Sequence, residues 1–533
     1  MARKRFAPRP EPSRDLRSTD ADRTFLQPAA LKAWVASLPV AHPHRTAESL
    51  LEALQTVNSH RLRPRRHRGL LAVLDPATER AARLLAAPRT DGVGDTPLTE
   101  PGPALGLKLR EEVIRSHRLV QRTAGPGGRH FRYASGRILH HAAASLEAYH
   151  CSHTEAPPGL WHLIHSQARS APRGRRNPRY RKVLLAAAGN PWGLRREQIP
   201  TLYDYCHRLA GALRITEQPS RNGDIAFVPR GDAGPFPVAA GQTTPTGALF
   251  LEPRKVLRHL ERESRRASKS QISAPETVQS VVRDRLTRQL TQARPRRHPR
   301  RRASGRVTVV SGLSAIHRTL TGSTGQTDPR AVFDAQARHR GDPAGDDVWN
   351  LILPSSELTR HFGPSEPQPA HPPPRRPSHE SDWTLRDRSP NGYRLIHPDE
   401  QGGDVRVGRP LLLAEPKHSG ERAAWELGVV RWLRHHRTGD VEVGISIVSP
   451  RVAGVTLMAE TTSGARTAAF GGVITAAMPR LGIPETLVMP SLNINEGRPV
   501  WQQADSGEAP LQLISCLERG IDFTRYHIQR SGS

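Results

Sequence analysis

The 533-residue sequence predicts an α+β multidomain protein, in which a helical N-terminal half is followed by a small antiparallel β-barrel and a β-rich tail. Apolar residues recur at helical spacing in the first half, as in Leu50, Leu51, Leu54 and Val57. Later the period changes to two, and residues 441–447 alternate as in a strand with one buried face. With 48 Pro and 43 Gly, the folded parts are expected to be separated by irregular stretches.

The same patterns divide the chain into segments. A proline-rich tract at about 321–382 is too polar to pack and is expected to loop out of the barrel. In chain order we predict a disordered basic leader (1–24), a mainly helical domain with a short β excursion (25–252), a basic connector (253–293), the β-barrel (294–460) and a β-rich C-terminal extension (461–533).

The barrel is predicted from several short strand candidates that lie close together in the sequence. Leu427 to Arg431 and the alternating run from Val441 form a hairpin around the turn Thr438-Gly439-Asp440. Five or six short strands in one region favour a small antiparallel barrel. The other candidates are Val307–Val310, Gly392–Ile396, Val405–Val407 and Leu411–Leu413.

The charge of the chain indicates anionic partners. Its formal net charge is +29, and residues 253–306 hold 17 Arg or Lys against 4 Asp or Glu. Arginines on ordinary solvated faces explain part of this excess, but not its clustering. The basic segment contains no Phe, Tyr or Trp, which disfavours the stacking platforms that bind single-stranded nucleic acid.

Other functional classes find no support in the sequence. Cys151, Cys206 and Cys516 are far apart, so neither a disulfide framework nor a zinc ribbon is indicated, and a reducing cytoplasm fits best. No apolar run is long enough for a membrane span. No catalytic motif is present, and the His140-His141 pair is interpreted as packing. We therefore predict a protein that is not an enzyme and has no metal and no cofactor.

Two short motifs carry the functional argument. Arg296 and Arg300 form an R-x-x-x-R just before the first strand candidate, and Asp387, Ser389 and Gly392 form a D-x-S-x-x-G at the start of another. Followed by the Gly-Val-Val-Arg-Trp run of the hairpin, these motifs resemble the PilZ domain, the bacterial receptor for cyclic di-GMP. The resemblance implies a cytoplasmic cyclic di-GMP-binding effector, which senses the nucleotide through its barrel and relays it through the helical half to a protein partner.

The chemistry of the ligand fits these residue types. The planar guanidinium fork of Arg binds phosphate or guanine O6 and N7 bidentately. The resemblance assigns Arg296 and Arg300 to this clamp. An Asp carboxylate accepts from guanine N1 and N2, a Ser hydroxyl donates to phosphate, and Gly permits close backbone approach. Asp387 would thus read the base edge, Ser389 would bind phosphate, and Gly392 would set the backbone geometry.

Alternatives remain open at this stage. Arg302 with Arg306, or Arg297 with Arg301, also satisfies R-x-x-x-R. Position 388 is usually apolar in the family but is Arg388 here. The D-x-S-x-x-G could be a plain Asx-type turn beside solvated arginines. The rival function is non-catalytic binding of nucleic acid, a polyanion, through the Arg-rich segment.

Overall fold

A computed structural model describes residues 25–86, 101–219, 224–238, 243–270, 277–291, 300–322, 380–398, 404–415, 424–460, 469–477, 484–504 without 493 and 495, and 507–530. The chain divides into two compact units: Met1–Arg297 with Arg434–Gly439, and His298–Leu433 with Asp440–Ser533. The predicted leader (1–24) and most of the proline-rich tract (323–379) lie outside the described residues.

The first unit is helical from residue 28 to 212, as the periodicity predicts. Proline stands at the first position of many of these helices, where its missing N–H is not needed. Leu50, Leu54 and Val57 are fully buried in one core cluster, and Ile138, Leu146 and Leu202 lie in another. The helices are α1 (Pro28–Ser37), α2 (Pro43–Ser59), α3 (Pro64–Ala86), α4 (Pro101–Ala124), α5 (Arg129–Cys151), α6 (Leu160–Ser170), α7 (Pro178–Ala188) and α8 (Ile199–Leu209).

A small sheet and two more helices follow in this unit. Strands β1 (Arg214–Thr216), β2 (Asp224–Phe227), β3 (Phe236–Val238) and β4 (Leu249–Glu252) pair in the order β1-β4-β2-β3. Helices α9 (Arg254–Ser270) and α10 (Val278–Thr291) follow within the predicted connector. Their thin apolar stripe is buried in the core of this unit, through Val256, Leu260, Val282, Leu286 and Leu290.

The second unit begins with a sheet in the order β5-β7-β6-β9-β10-β11-β8. A further pairing of β7 with β8 closes six of these strands into a ring, with β5 attached to β7. Trp383, Val430 and Val443 lie in its core. The strands are β5 (Arg301–Arg302), β6 (Arg306–Ser311), β7 (Glu380–Ser389), β8 (Gly392–His397), β9 (Pro410–Ala414), β10 (Glu426–His435) and β11 (Val441–Ser449).

The tail forms a second, closed barrel in the order β12-β13-β14-β17-β16-β15. Helix α11 (Leu313–Thr321) and side chains of both barrels share one apolar cluster, which includes Ile316, Val429 and Phe523. The α+β class, with a helical half, an antiparallel barrel and a β-rich tail, is therefore confirmed. The strands are β12 (Val452–Ala459), β13 (Phe470–Thr475), β14 (Thr486–Pro490), β15 (Pro499–Ala504), β16 (Gly507–Arg519) and β17 (Phe523–Arg530).

Two details differ from the sequence expectation. Residues 452–459 belong to the second barrel, although the sequence pattern ends the first barrel only at 460. An alternating pattern shows which face of a strand is buried, but not which sheet the strand joins. Val405 and Val407 are buried, yet they lie in a turn before β9, where Gly408 adopts φ +84°. Within the described ranges, no helix has both the length and the apolar character that a membrane crossing requires.

Candidate functional site

The D-x-S-x-x-G motif forms the hairpin between β7 and β8. Asp387 and Ser389 close β7, Pro390 and Asn391 make the turn, and Gly392 opens β8. Ser389 pairs with Gly392 across the hairpin, and its Oγ lies 3.4 Å from the Gly392 carbonyl oxygen, to which it donates. The hairpin thus fixes the three motif residues at one end of the barrel strands.

Arg300 meets this hairpin directly. It precedes β5, which pairs antiparallel with the end of β7, so that Arg302 stands opposite Asp387. The Arg300 guanidinium donates from Nη1 to Oδ1 of Asp387 at 2.6 Å. The exposed fractions of the two side chains are 23% and 13%, so the pair is reachable from solvent at its edge. The Arg300 guanidinium could therefore release Asp387 and bind an anionic group of a ligand, while the Asp387 carboxylate accepts hydrogen bonds from the ligand instead.

Arg394 is a further member of the cluster that the motif analysis missed. It stands opposite Asp387 in the β7–β8 pairing, and its Nη1 lies 3.6 Å from Oδ2 of Asp387. Its Nε donates to Oε1 of Glu442 at 2.6 Å, and Glu442 is only 3% exposed. A basic residue two positions after the motif glycine, on the same face of an apolar strand, is the signal that could have identified it.

The other candidate arginines have different positions. Arg296 and Arg297 lie outside the described residues. Arg301 is exposed and stands opposite Arg388. Arg302 and Arg306 are also exposed, and Arg306 stands opposite Thr384, away from the hairpin turn. Among Arg301, Arg302 and Arg306, strand pairing thus places Arg302 opposite Asp387.

Arg388 points outward, which explains how a basic residue fits this position. Its Nη1 lies 3.2 Å from Oε1 of Glu415, and its guanidinium lies 5.8 Å from the ring centre of Tyr393. Tyr393 donates to Oε2 of Glu426 at 3.0 Å, and burial together with the Glu426 charge raises the pKa of Tyr393. These four residues line a pocket of about 250 Å³ that extends from the hairpin.

Gly392 is required by close packing, which gives a testable prediction. A Cβ at this position would lie 2.2 Å from the backbone oxygen of Ile445 on β11. We expect Gly392→Ala to destabilise the barrel by about 1 to 3 kcal/mol, because the strands must separate to admit the methyl group. Urea unfolding followed by tryptophan fluorescence measures this loss.

The matched control is Gly69→Ala on α3, where no heavy atom lies within 4 Å of the added Cβ. Alanine is favoured over glycine in a helix, so this variant is expected to be neutral or slightly more stable. Equal stability of Gly392→Ala and the unsubstituted chain would show that the close approach does not constrain this position.

A second cluster, in the helical unit, has a donor set that a metal ion could use. Asp75, His117 and His141 are buried, with ligand atoms within 4.8 Å of one another. Nε2 of His141 lies 2.7 Å from Oδ1 of Asp75, and Nε2 of His117 lies 3.0 Å from Oδ2. Arg137 also donates to both carboxylate oxygens. His141 therefore has a carboxylate partner, which the sequence spacing did not reveal, and Asp75 accepts hydrogen bonds from three side chains.

The comparisons with known proteins agree with this architecture. Two family models match: the N-terminal domain of the cyclic-di-GMP receptor FimW over residues 29–220, and the middle PilZ domain of the same receptor over residues 226–453. The cyclic-di-GMP receptor FimW of Pseudomonas aeruginosa is 24% identical over 223 residues, which cover 37% of this chain and 35% of the relative. The match thus spans about a third of that relative's length. No solved structure matches the chain.

The PilZ match confirms the family resemblance and also extends it. The resemblance covers about 294–460, whereas the matched segment already begins at 226, in β2. It includes Arg300 and the hairpin from Asp387 to Gly392. Residues 226–453 of this chain therefore match the PilZ-domain family.

Proposed function

We propose that this chain is a non-catalytic cyclic di-GMP receptor that acts in the cytoplasm. The observation that carries the proposal is the Arg300–Asp387 pair at the D-x-S-x-x-G hairpin of a PilZ domain. The FimW relative is itself named as a cyclic-di-GMP receptor, which supports the same ligand. The ligand offers both partners that this pair needs, because it has anionic phosphates and guanine edges with N–H donors.

Binding would proceed by exchange of partners. The guanine N1 and N2 hydrogens replace Arg300 as donors to the Asp387 carboxylate, and the released guanidinium takes a phosphate or the O6 and N7 edge. Arg394, held by Glu442, keeps positive charge beside the carboxylate during this exchange. Ser389 turns its hydroxyl from the Gly392 carbonyl to a phosphate. Arg296 is proposed as the second arm of the clamp.

Substitution of Arg300 tests the clamp. Hydrogen bonds to charged groups contribute roughly 1.5 to 3 kcal/mol, so Arg300→Ala should weaken cyclic di-GMP binding about ten- to a hundredfold. Isothermal titration calorimetry on the full chain measures the affinity. Arg265→Ala, at an exposed position of α9, is the control, and it should change affinity no more than a few-fold. If Arg302→Ala or Arg306→Ala weakens binding and Arg300→Ala does not, the clamp consists of Arg302 and Arg306 instead.

Two further titrations separate this function from the nucleic-acid alternative. Cyclic di-AMP and GTP serve as controls, and cyclic di-AMP should bind poorly because adenine lacks the N1 and N2 hydrogens that Asp387 accepts. A compact dinucleotide should give a shallow dependence of affinity on salt, whereas a nucleic acid that contacts many phosphates gives a steep one. If cyclic di-GMP does not bind saturably, and nucleic acid binds with a steep dependence on salt, the nucleic-acid function is favoured instead.

The helical unit is proposed to pass the signal to a protein partner. Support comes from the match of residues 29–220, which are mainly helical in this chain, to the N-terminal domain of the FimW receptor, whose middle domain is a PilZ domain. Crosslinking of the full chain in cells, with and without raised cyclic di-GMP, would identify a partner whose recovery depends on the nucleotide.

A further inference from the structure

The helical unit contains a pocket that the PilZ site does not use. It has a volume of about 610 Å³, within the range typical of small-molecule sites. Helices α3, α4, α5, α7 and α8 all contribute to its walls. Ala82, Leu107, Ala143 and Val183 contribute to its apolar surface, and charged side chains make up another part of the lining. A ligand that fits this pocket would therefore have an apolar body and a charged group.

Arg110 on α4 indicates the sign of that charge. It lines the pocket but is only 6% exposed. Its Nη1 is buried and has no hydrogen-bond partner in the described part of the chain. A guanidinium is almost never buried to this degree unless it is paired, because removal from water is costly. Burial lowers the pKa of Arg110, as expected for a cation with poor compensation.

The nearby acids are largely engaged elsewhere. Glu147 accepts from Nζ of Lys182 at 2.9 Å, and Oε2 of Glu79 lies 3.1 Å from Nε2 of His140. Both carboxylates attract Arg110 through space, but neither is found within ion-pair distance of it among the described residues. Over the whole pocket, five basic side chains face three acidic ones: Arg83, Arg110, Arg179, Lys182 and Arg196 against Glu79, Glu147 and Asp204.

From this geometry we propose that the helical unit binds a second ligand, a phosphate monoester with an apolar or aromatic body, whose phosphate is held by Arg110. The excess of two basic side chains matches a phosphate monoester, which carries close to two negative charges at neutral pH. Arg110 would bind two phosphate oxygens with its fork, as guanidinium groups do at phosphate sites. The site is distinct from the Arg300–Asp387 pair and does not depend on the proposed PilZ function.

Thermal unfolding of the full chain tests this site with phenyl phosphate as the probe. We expect phenyl phosphate at millimolar concentration to raise the melting temperature of the helical unit by a few degrees. Benzoate, with one charge, should do less, and sodium chloride at matched ionic strength should do nothing. No greater shift with phenyl phosphate than with sodium chloride would overturn the proposal.

The Arg110→Met variant tests the role of the buried guanidinium, because this substitution is not expected to lower the melting temperature. Without ligand it should melt at the same or a higher temperature than the unsubstituted chain, because the buried unpaired charge is replaced by an apolar chain of similar length. Its response to phenyl phosphate should disappear. A variant that melts lower and still responds to the probe would contradict the role of Arg110.

Two other variants keep the test decisive. Arg83 is exposed at the pocket, so Arg83→Ala should leave folding intact and reduce the phenyl phosphate response, even if Arg110→Met does not fold. If Arg110→Met does not fold and phenyl phosphate still raises the melting temperature of Arg83→Ala as much as that of the unsubstituted chain, the proposed site is wrong.

Arg300→Ala should retain the full response to phenyl phosphate, since it changes only the PilZ site. Loss of the response in Arg300→Ala would place the probe at the nucleotide site and overturn the proposal of a second one.

Discussion

Replacement of Asp75 by alanine is expected to lower the free energy of unfolding of the helical unit by about 3 to 5 kcal/mol. Asp75 is 3% exposed, and its two oxygens contact Arg137, His117 and His141 at 2.6 to 3.0 Å. Burial alone would raise the pKa of Asp75, but the hydrogen bonds of His117, His141 and Arg137 outweigh it and hold the pKa well below its usual value. Without the carboxylate, Arg137 loses its main buried counter-charge.

Guanidinium chloride unfolding of the full chain, followed by circular dichroism at 222 nm, measures this loss, because most described helices lie in this unit. Glu48→Ala is the matched control. Glu48 is exposed on α2, and a surface carboxylate of this kind is expected to change stability by no more than about 0.5 kcal/mol. A loss below about 1 kcal/mol in Asp75→Ala would show that the network does not hold the helices together.

Acid is expected to unfold the helical unit before it reaches the pKa range of ordinary carboxylates. Burial lowers the pKa of His67 to about 4, of His150 to about 3 and of His153 to about 4. In the unfolded chain a histidine takes up its proton near pH 6.5. These three residues therefore contribute stability that is fully present above pH 6.5 and is lost as the pH falls toward 4, at about 1.4 kcal/mol per pH unit each.

Denaturant unfolding at a series of pH values and constant ionic strength measures this slope. Below pH 6, the slope of the free energy of unfolding against pH should reach about 4 kcal/mol per pH unit for the three residues together. His153 adopts φ +49°, and its Nε2 lies 2.9 Å from the Leu194 carbonyl oxygen. Asparagine tolerates this backbone region, so His153→Asn should reduce the slope by about a third without titrating itself. A stability that stays constant from pH 7 to pH 5 would refute the assignment.

Much of the architecture follows from the spacing of apolar residues. The helical stripe at Leu50, Leu54 and Val57 is fully buried, and the alternating run from Val441 to Ile447 lies in β11. Short-range periodicity predicts these elements because it records which face of each element avoids water. Strand β7 is not among the strands that the sequence predicts, and its first residues fall within the proline-rich tract. Charged and polar residues on its exposed side hide the alternation of the buried Trp383 and Leu385.

The D-x-S-x-x-G motif is a local signal for a turn, and it lies at the turn between β7 and β8. By itself, the sequence determined the helical and β-rich halves, the hairpin and the family resemblance. Only the tertiary structure decided that Arg300 lies against Asp387, that Arg394 joins them, and that Asp75 meets His117 and His141. These contacts join residues 42 to 87 positions apart in the chain, or depend on strand register, and spacing along a sequence does not encode such distances.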